Sequence, residues 1–327
     1  MNTGNFETKI ISLSQAIRRY VTNNCHISIG GFTVSRNPMA AVHEIIRQKI
    51  RGLHIYAHSN GQGLDELIGA GCIDRVEIAY SGNGRFAPTC ICFKRHIIEN
   101  KLRVEDYSNF HMALRFLAGA MGVPFLPTYS ALGTDIIEKW GFDPALRRSD
   151  KKIANKKLIV IADPFSEADP KEKIVLVPAI HPDVTILHAQ TADATGTTRI
   201  DGLTFSDMDQ AKAAQHVIVT CEKIAPPGVL NQAPQNNQLP SFCVDAVVHV
   251  PFGAYPTACY GQYDYDVQFL NWYKEIAADQ PGFDAFIKDY ILSTKDHSQV
   301  VEKACGPRLS QIIADPATGY SDKVKRK

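Results

Sequence analysis

CHISIGGFTVSRNPMAAVHEIIRQ, residues 25–48, is the stretch on which the fold turns. Its short apolar run, Cys25 to Ile29, reads as a strand that stops at Gly30-Gly31. Pro38 then opens a helix through Gln48, because a proline in the first helical turn gives up an N–H that has no partner there anyway. Upstream, Ser12 to Val21 (SLSQAIRRYV) places apolar residues at helical spacing behind a serine cap. Downstream, Leu53 to Ala57 predicts a second strand, Leu64 to Ala70 a third helix closed by Gly71, and Arg75 to Tyr80 a third strand. Strands alternating with helices imply an α/β fold: an open, mostly parallel sheet flanked by helices, with ligands at the C-terminal ends of its strands.

Beyond this core the spacing predicts a helix over Ser108 to Met121 and a charged, peripheral segment at about 134–157. The second half is richer in strands: Leu158 to Ala162, Lys173 to Val177, Val184 to His188, His216 to Thr220 and Val244 to Val250, with a turn at 192–196. Ala225 to Pro240, carrying Pro, Asn and Gln, reads as a long surface loop, and about 267–313 returns to helix. We read residues 1–327 as one domain.

Composition excludes several classes of function. Lys and Arg number 35 against 34 acidic residues, so there is no broad positive field to hold nucleic acid or an anionic membrane. The one basic cluster, Lys323, Lys325, Arg326 and Lys327, reads as a solvated tail. No stretch approaches the ~20 apolar residues of a membrane span, and MNTGNFETKI has no secretory pattern, so the expected location is the cytoplasm. The eight cysteines are scattered through a chain too large to need disulfide staples, and Cys90-Ile91-Cys92 is a poor zinc half-site. No metal and no tightly bound cofactor are expected.

Gly82-Asn83-Gly84-Arg85-Phe86-Ala87 fits the dinucleotide pattern G-x-G-x-x-A and is trailed by Glu105 and Asp106. Pro88 and Thr89 interrupt the helix start that should receive a pyrophosphate, however, and the motif follows a third strand rather than a first. A tight turn at a strand end accounts for the glycines equally well.

Three turns should lie side by side on the sheet edge: Gly30-Gly31-Phe32 through Arg36 to Pro38, His58-Ser59-Asn60 through Gly63, and Ser81-Gly82-Asn83-Gly84-Arg85. They offer backbone N–H groups and the neutral donors Ser59, Asn60 and Ser81, which suit a developing oxyanion at ~3 kcal/mol per donor. The helix starting near Pro38 adds its positive end, and Arg36 a full charge. His188 reads as a hydrogen-bonded structural residue. No nucleophile elbow, Walker loop or zinc motif is present, and no carboxylate lies in the three turns. The residues describe half of an active site.

Ile29-Gly30-Gly31-Phe32-Thr33, with Arg36 and Pro38-Met39-Ala40-Ala41-Val42, resembles the glycine-loop segment of class I CoA-transferase α subunits. Leu67-Ile68-Gly69, Gly122-Val123-Pro124-Phe125-Leu126-Pro127, His188-Ala189-Gln190 and Val244-Asp245-Ala246-Val247-Val248 follow in that family's order. Val104 to Ser108 and Cys259 to Asp266 (CYGQYDYD) are most similar to its glutaconate branch, and the resemblance runs from about Ser12 past Gly319. It implies a coenzyme A thioester as substrate and a glutamate nucleophile on a β subunit, in an α2β2 or α4β4 assembly. It also implies that Gly30, Gly31 and Phe32 help line a cleft facing the β subunit, with the 58–63 and 81–85 turns beside them, so the candidate substrate and oxyanion residues are Gly30, Gly31, Phe32, Arg36, His58, Ser59, Asn60, Ser81, Gly82 and Asn109. In that branch the second turn is mostly Gly and Ala, and Asn109 stands where a Gln is common, so the acyl group is left open. Same-fold decarboxylases and CoA hydrolases, and a non-catalytic phosphate-ligand sensor, remain alternatives.

Overall fold

The computed structural model describes residues 8–326, so Lys327 of the basic cluster and residues 1–7 of the N-terminal stretch lie outside it. The chain order is α1 (Leu13–Tyr20), β1 (His26–Ile29), α2 (Met39–Arg47), β2 (Leu53–Asn60), α3 (Gln62–Gly69), β3 (Ile73–Ser81), α4 (Ile91–Ile98), β4 (Arg103–Asp106) and α5 (Asn109–Met121). There follow β5 (Phe125–Thr128), α6 (Asp135–Glu138), α7 (Pro144–Ser149), β6 (Ile159–Ala162), β7 (Lys173–Pro178), β8 (Val184–Asp193), β9 (Thr198–Arg199), α8 (Asp207–Ala213), β10 (His216–Ala225) and β11 (Ala246–His249). The chain closes with α9 (Val267–Ile276), α10 (Gln280–Phe286), a π-helical turn at Ile287–Leu292, α11 (His297–Ala304) and α12 (Leu309–Ile312).

The main sheet is eight-stranded, in the order β11-β10-β8-β1-β2-β3-β4, with β9 antiparallel beside β8 and every other pair parallel. From β1 the chain winds outward through β2, β3 and β4; the later strands β8, β10 and β11 build the other flank. The order therefore reverses between β1 and β8, the place where open α/β sheets bind ligands. Alternation along β2 separates two cores: Leu53, Ile55 and Ala57 pack with α2 and α3, while Tyr56 packs with Met112 and Phe116 of α5.

The α5 face carries a buried polar row: His26 pairs in register with His54, and Tyr56 with Glu77, which pairs with Glu105. The His26 and His54 rings stack at 4.2 Å, and Arg115 of α5 covers the row, 2.5 Å from Glu77. Ser12 caps α1 in a reciprocal capping box with Gln15, a feature typically worth about 1 kcal/mol.

Several expectations need correction. Leu158 to Ala162 and Lys173 to Val177 belong to a separate antiparallel sheet, β5-β7-β6, whose strand β5 the sequence reading missed. β8 and β10 run to Asp193 and Ala225, well past the predicted ends, because each continues to pair with the other. The 225–240 stretch is not a plain surface loop, since Leu230 and Leu239 are buried and Arg199 binds the Leu230 and Ala233 carbonyls. Nor is the basic tail simply solvated: Val324 is buried and Arg326 pairs with Asp264. Among the described residues, no helix is long and apolar enough to cross a membrane.

Candidate active site

The three glycine-bearing turns meet at the C-terminal edge of β1, β2 and β3, joined by main-chain hydrogen bonds. Thr33 N–H donates to the Ser59 carbonyl (3.2 Å) and Gly82 N–H to the Asn60 carbonyl (3.1 Å), while Arg36 N–H ties the first turn to the Ala258 carbonyl (2.7 Å) of a later segment. His58, Ser59 and Asn60 are the last residues of β2, and Ser81 the last of β3, rather than loop residues. Glycine is required where the turns touch. A Cβ on Gly61 would strike the Asn83 side chain and approach the Thr33 carbonyl to 2.5 Å. Gly31, at φ +83°, would bring one within 2.5 Å of the Ser35 and Arg36 carbonyls.

The first turn does not offer what the sequence suggested. Gly30 N–H donates to the Ile186 carbonyl (2.9 Å) and Phe32 N–H to that of Ser35 (2.8 Å), and Gly31 N–H donates to Asp207 Oδ1 (2.9 Å). All three donors are thus engaged within the protein. Arg36 is buried, 2.6 Å from Asp207 Oδ2, with further hydrogen bonds to the carbonyls of His188 and Leu203 (both 2.9 Å). Its charge is balanced inside the fold and builds the loop. The helix that begins after Pro38 likewise has its Ala40 N–H on the Gly253 carbonyl (2.9 Å).

The second and third turns divide between structure and display. Asn60 is structural, donating to the Gly30 carbonyl (3.2 Å) and accepting from Leu64 N–H (3.1 Å). Ser59 Oγ donates to Asn109 Oδ1 (2.6 Å). This fixes the orientation of the Asn109 amide, so its NH2 end is the one left to donate. Asn109 is exposed at the first position of α5, next to exposed Phe110 and just after the helix cap Ser108. His58 is half-buried, its ring 5.7 Å from that of Phe32 and its Nδ1 buried without a partner. Burial lowers its pKa, against smaller opposing contributions from the Asn109 backbone and Asp207, so the ring is neutral at pH 7. Ser81 Oγ is also buried without a hydrogen-bond partner, and Gly82 is pressed against the Tyr80 ring and the Pro88 carbonyl.

Two residues absent from the sequence reading support the first turn. Phe205 stacks on Phe32 at 4.7 Å, and Asp207, the first residue of α8, anchors Gly31 and Arg36. Beside them lies a depression of about 480 Å³ lined by Ser35, Arg36, Leu203, Phe205, Tyr260 and Tyr320 among others. Thr33, Arg36 and Phe205 all take positive φ, at +49°, +53° and +50°. Such strain in non-glycine residues persists where surrounding structure imposes it, commonly at binding sites.

His188 is structural, as expected. Its Nε2 lies 2.7 Å from Glu222, whose oxygens also accept from Tyr263 Oη (2.7 Å) and from the N–H groups of Phe252 (2.7 Å) and Gly253 (3.2 Å). Cys259 lies close enough to complete a metal-like triad, but the Glu222 lone pairs already have donors.

The dinucleotide reading fails on geometry. Helix α4 starts only at Ile91, after the 88–90 stretch that follows the motif, so the glycines do not abut its N-terminus. Glu105 is buried against Arg147 and the Gly141 N–H instead of facing the turn.

Residues 10–250 match the family described as Coenzyme A transferase. The chain belongs to the coenzyme A transferase family. This CoA-transferase α subunit is 39% identical to the A subunit of glutaconate CoA-transferase from Acidaminococcus fermentans, over 96% of this chain and 97% of that one. The crystal structure of that enzyme superposes with a TM-score of 0.92 at 38% identity, covering 96% of this chain and 98% of that chain. The A subunit of 3-oxoadipate CoA-transferase from Pseudomonas knackmussii is 33% identical over 90% of this chain and 98% of its own. A crystal structure of the decarboxylase AibA/AibB aligns with a TM-score of 0.68 and 28% identity, covering 86% of this chain and 99% of that one.

Proposed function

We propose that this CoA-transferase α subunit works with a β subunit to move CoA from a short acyl-CoA or dicarboxylyl-CoA to an acceptor carboxylate. The nucleophile is a glutamate on β. It attacks the thioester, releases CoA thiolate and forms an acyl-glutamyl anhydride; the thiolate then attacks the glutamyl carbonyl, releasing the first carboxylate and leaving a glutamyl-CoA thioester. The acceptor carboxylate repeats the two steps in reverse order. The observation that carries this reading is the missing half. The turns gather Ser59, Asn109, His58 and Phe32 at one edge, while the carboxylate beneath them, Asp207, is committed to Gly31 and Arg36.

The β subunit would supply the glutamate and close the cleft from the other side. His58, Ser59 and Asn109 would contact the acyl chain. The test is CoA transfer from an acyl-CoA to acetate by this chain mixed with its β partner. Activity that needs both chains and disappears when the β glutamate becomes alanine supports the proposal, whereas turnover by this chain alone overturns it. Native mass spectrometry of the complex decides between α2β2 and α4β4.

The similarity to AibA/AibB keeps a second reading, one half of a same-fold decarboxylase. The residue at the nucleophile position of the partner discriminates: glutamate fits transfer, and another residue fits decarboxylation or hydrolysis.

A further inference from the structure

Behind the cleft runs a buried hydrogen-bond chain that the proposed chemistry does not use. Asn83 Nδ2 donates to Gln62 Oε1 (2.8 Å), and Gln62 Nε2 donates to Glu66 Oε1 (2.8 Å). Glu66 Oε2 lies 2.9 Å from His43 Nε2, His43 Nδ1 lies 3.2 Å from His297 Nδ1, and His297 Nε2 lies 2.8 Å from the Phe252 carbonyl. All five side chains are at most 2% exposed.

Protons can be counted from the far end. A carbonyl only accepts, so His297 Nε2 carries a hydrogen and, in a neutral ring, Nδ1 is a lone pair. His43 Nδ1 must then be the donor. That leaves His43 Nε2 and Glu66 Oε2 sharing one proton, as a neutral acid against a neutral ring or as a carboxylate against an imidazolium.

The surroundings decide between the two. Arg47, on the same helix as His43, opposes a second cation there. On α3, Glu66 adjoins the buried Asp65, which accepts from Phe93 N–H (2.8 Å) and Tyr273 Oη (2.9 Å). Cys92 of α4 lies beside Asp65, and His188 approaches His297 from β8. No cation faces Glu66 from these elements other than through His43. Burial pushes the Glu66 carboxyl up to about 8, despite the Gln62 hydrogen bond; burial and Arg47 hold His43 well below its usual range, and burial and His43 hold His297 at about 3.

We propose that Glu66 is a neutral carboxylic acid at neutral pH, and that the one-way chain Asn83–Gln62–Glu66–His43–His297–Phe252 is a positioning device for the Asn83 turn. Its hydrogen bonds all point from the third turn of the cleft toward the 252–253 turn, where Gly253 N–H meets Glu222 and the Gly253 carbonyl receives Ala40 N–H. Ionising Glu66 would remove the one donor able to face a neutral His43 and break the chain at its middle. The link to turnover, though not the protonation state, rests on the reading of the three turns as the reacting face.

Three measurements on the α–β complex test this, using Glu66→Gln and Glu66→Leu. In infrared difference spectra, the wild type at pH 7 should show the carbonyl stretch of a protonated carboxylic acid that Glu66→Gln lacks; absence of that band overturns the proposal. Above the pH where an unfolded Glu ionises, the folded chain holds one proton more than the unfolded chain. Wild-type stability should therefore fall relative to Glu66→Gln as pH rises from 4.5 to about 8, and level off beyond. A parallel pH dependence in the two proteins overturns it. Glu66→Gln, which can still accept from Gln62 and donate to His43, should keep kcat within about threefold, while Glu66→Leu should lower it about tenfold or more with KM little changed. Equal kcat in Glu66→Leu and wild type, or equal loss in both variants, overturns the positioning role. A wild-type complex without transfer activity overturns the proposed function instead, and the infrared band still decides the proton.

Discussion

Gly31 carries two demands at once, a positive φ and a close approach to the Ser35 and Arg36 carbonyls, and its neighbour Arg36 is held by Asp207 from a distant part of the chain. Gly31→Ala should therefore cost about 1–3 kcal/mol, measured by chemical denaturation, and abolish transfer while the chain still assembles with its partner. Asp207→Asn should be more damaging, because it leaves the Arg36 guanidinium buried without its counter-charge; removing one partner of a buried pair typically costs about 3–5 kcal/mol. Asn109→Gln lengthens an amide whose NH2 end is left to donate at the cleft edge, and the ratio of kcat/KM values for short and long acyl-CoA substrates should shift by about tenfold. At this scale the sequence was a partial guide. The glycine turns could be placed because they follow apolar runs, and Ser59, Asn60 and Ser81 with them, although these three end β2 and β3 rather than follow them; Asn109 is reached only through the family resemblance. Arg36 reads as a free charge in the sequence because its neutralising partner, Asp207, sits in a distant segment that no local pattern ties to it, and Phe205 is hidden for the same reason.

Among the elements, β2 and β3 show what a buried polar face demands of the helix above it. Burial alone would raise the Glu77 carboxyl, but Arg115 and then His54 outweigh burial and hold it well below the usual carboxylate range. A depressed carboxyl stabilises the fold above the unfolded pKa and loses that contribution as pH falls through its folded pKa. Acid titration should therefore weaken the wild type increasingly below about pH 4.5, and Glu77→Gln should remove much of that slope while lowering stability at pH 7, as read from urea midpoints at each pH. The alternating strands and helices from α1 to β3 were legible, because glycine and proline punctuate them and their contacts are between sequence neighbours. The helix α4 and strand β4 were not, since GNGRFAPTC drew attention as a nucleotide motif and RVED lacks an apolar run. The sheet β5-β7-β6 escaped because an antiparallel pairing between segments so far apart in the chain leaves no periodic trace.

For the molecule as a whole, the order β11-β10-β8-β1-β2-β3-β4 puts the Gly30-Gly31 turn where the winding reverses, so the cleft is a property of the topology before any side chain is chosen. What the chain adds is an edge whose turns are tied down: Thr33 to Ser59 and Gly82 to Asn60 join the turns to each other, and Arg36 to Ala258 joins the first of them to a later segment. Loops ordinarily exchange their amide hydrogens by small local openings, ahead of the core. Here the amides of Thr33, Arg36 and Gly82 close hydrogen bonds between segments, so releasing one means parting two neighbouring turns. Their deuterium uptake should follow the slow time course of β1 and β2, while the exposed 163–172 segment labels early. Such a surface would meet its partner already in the shape it uses, and the union of the two chains would leave its backbone order almost unchanged.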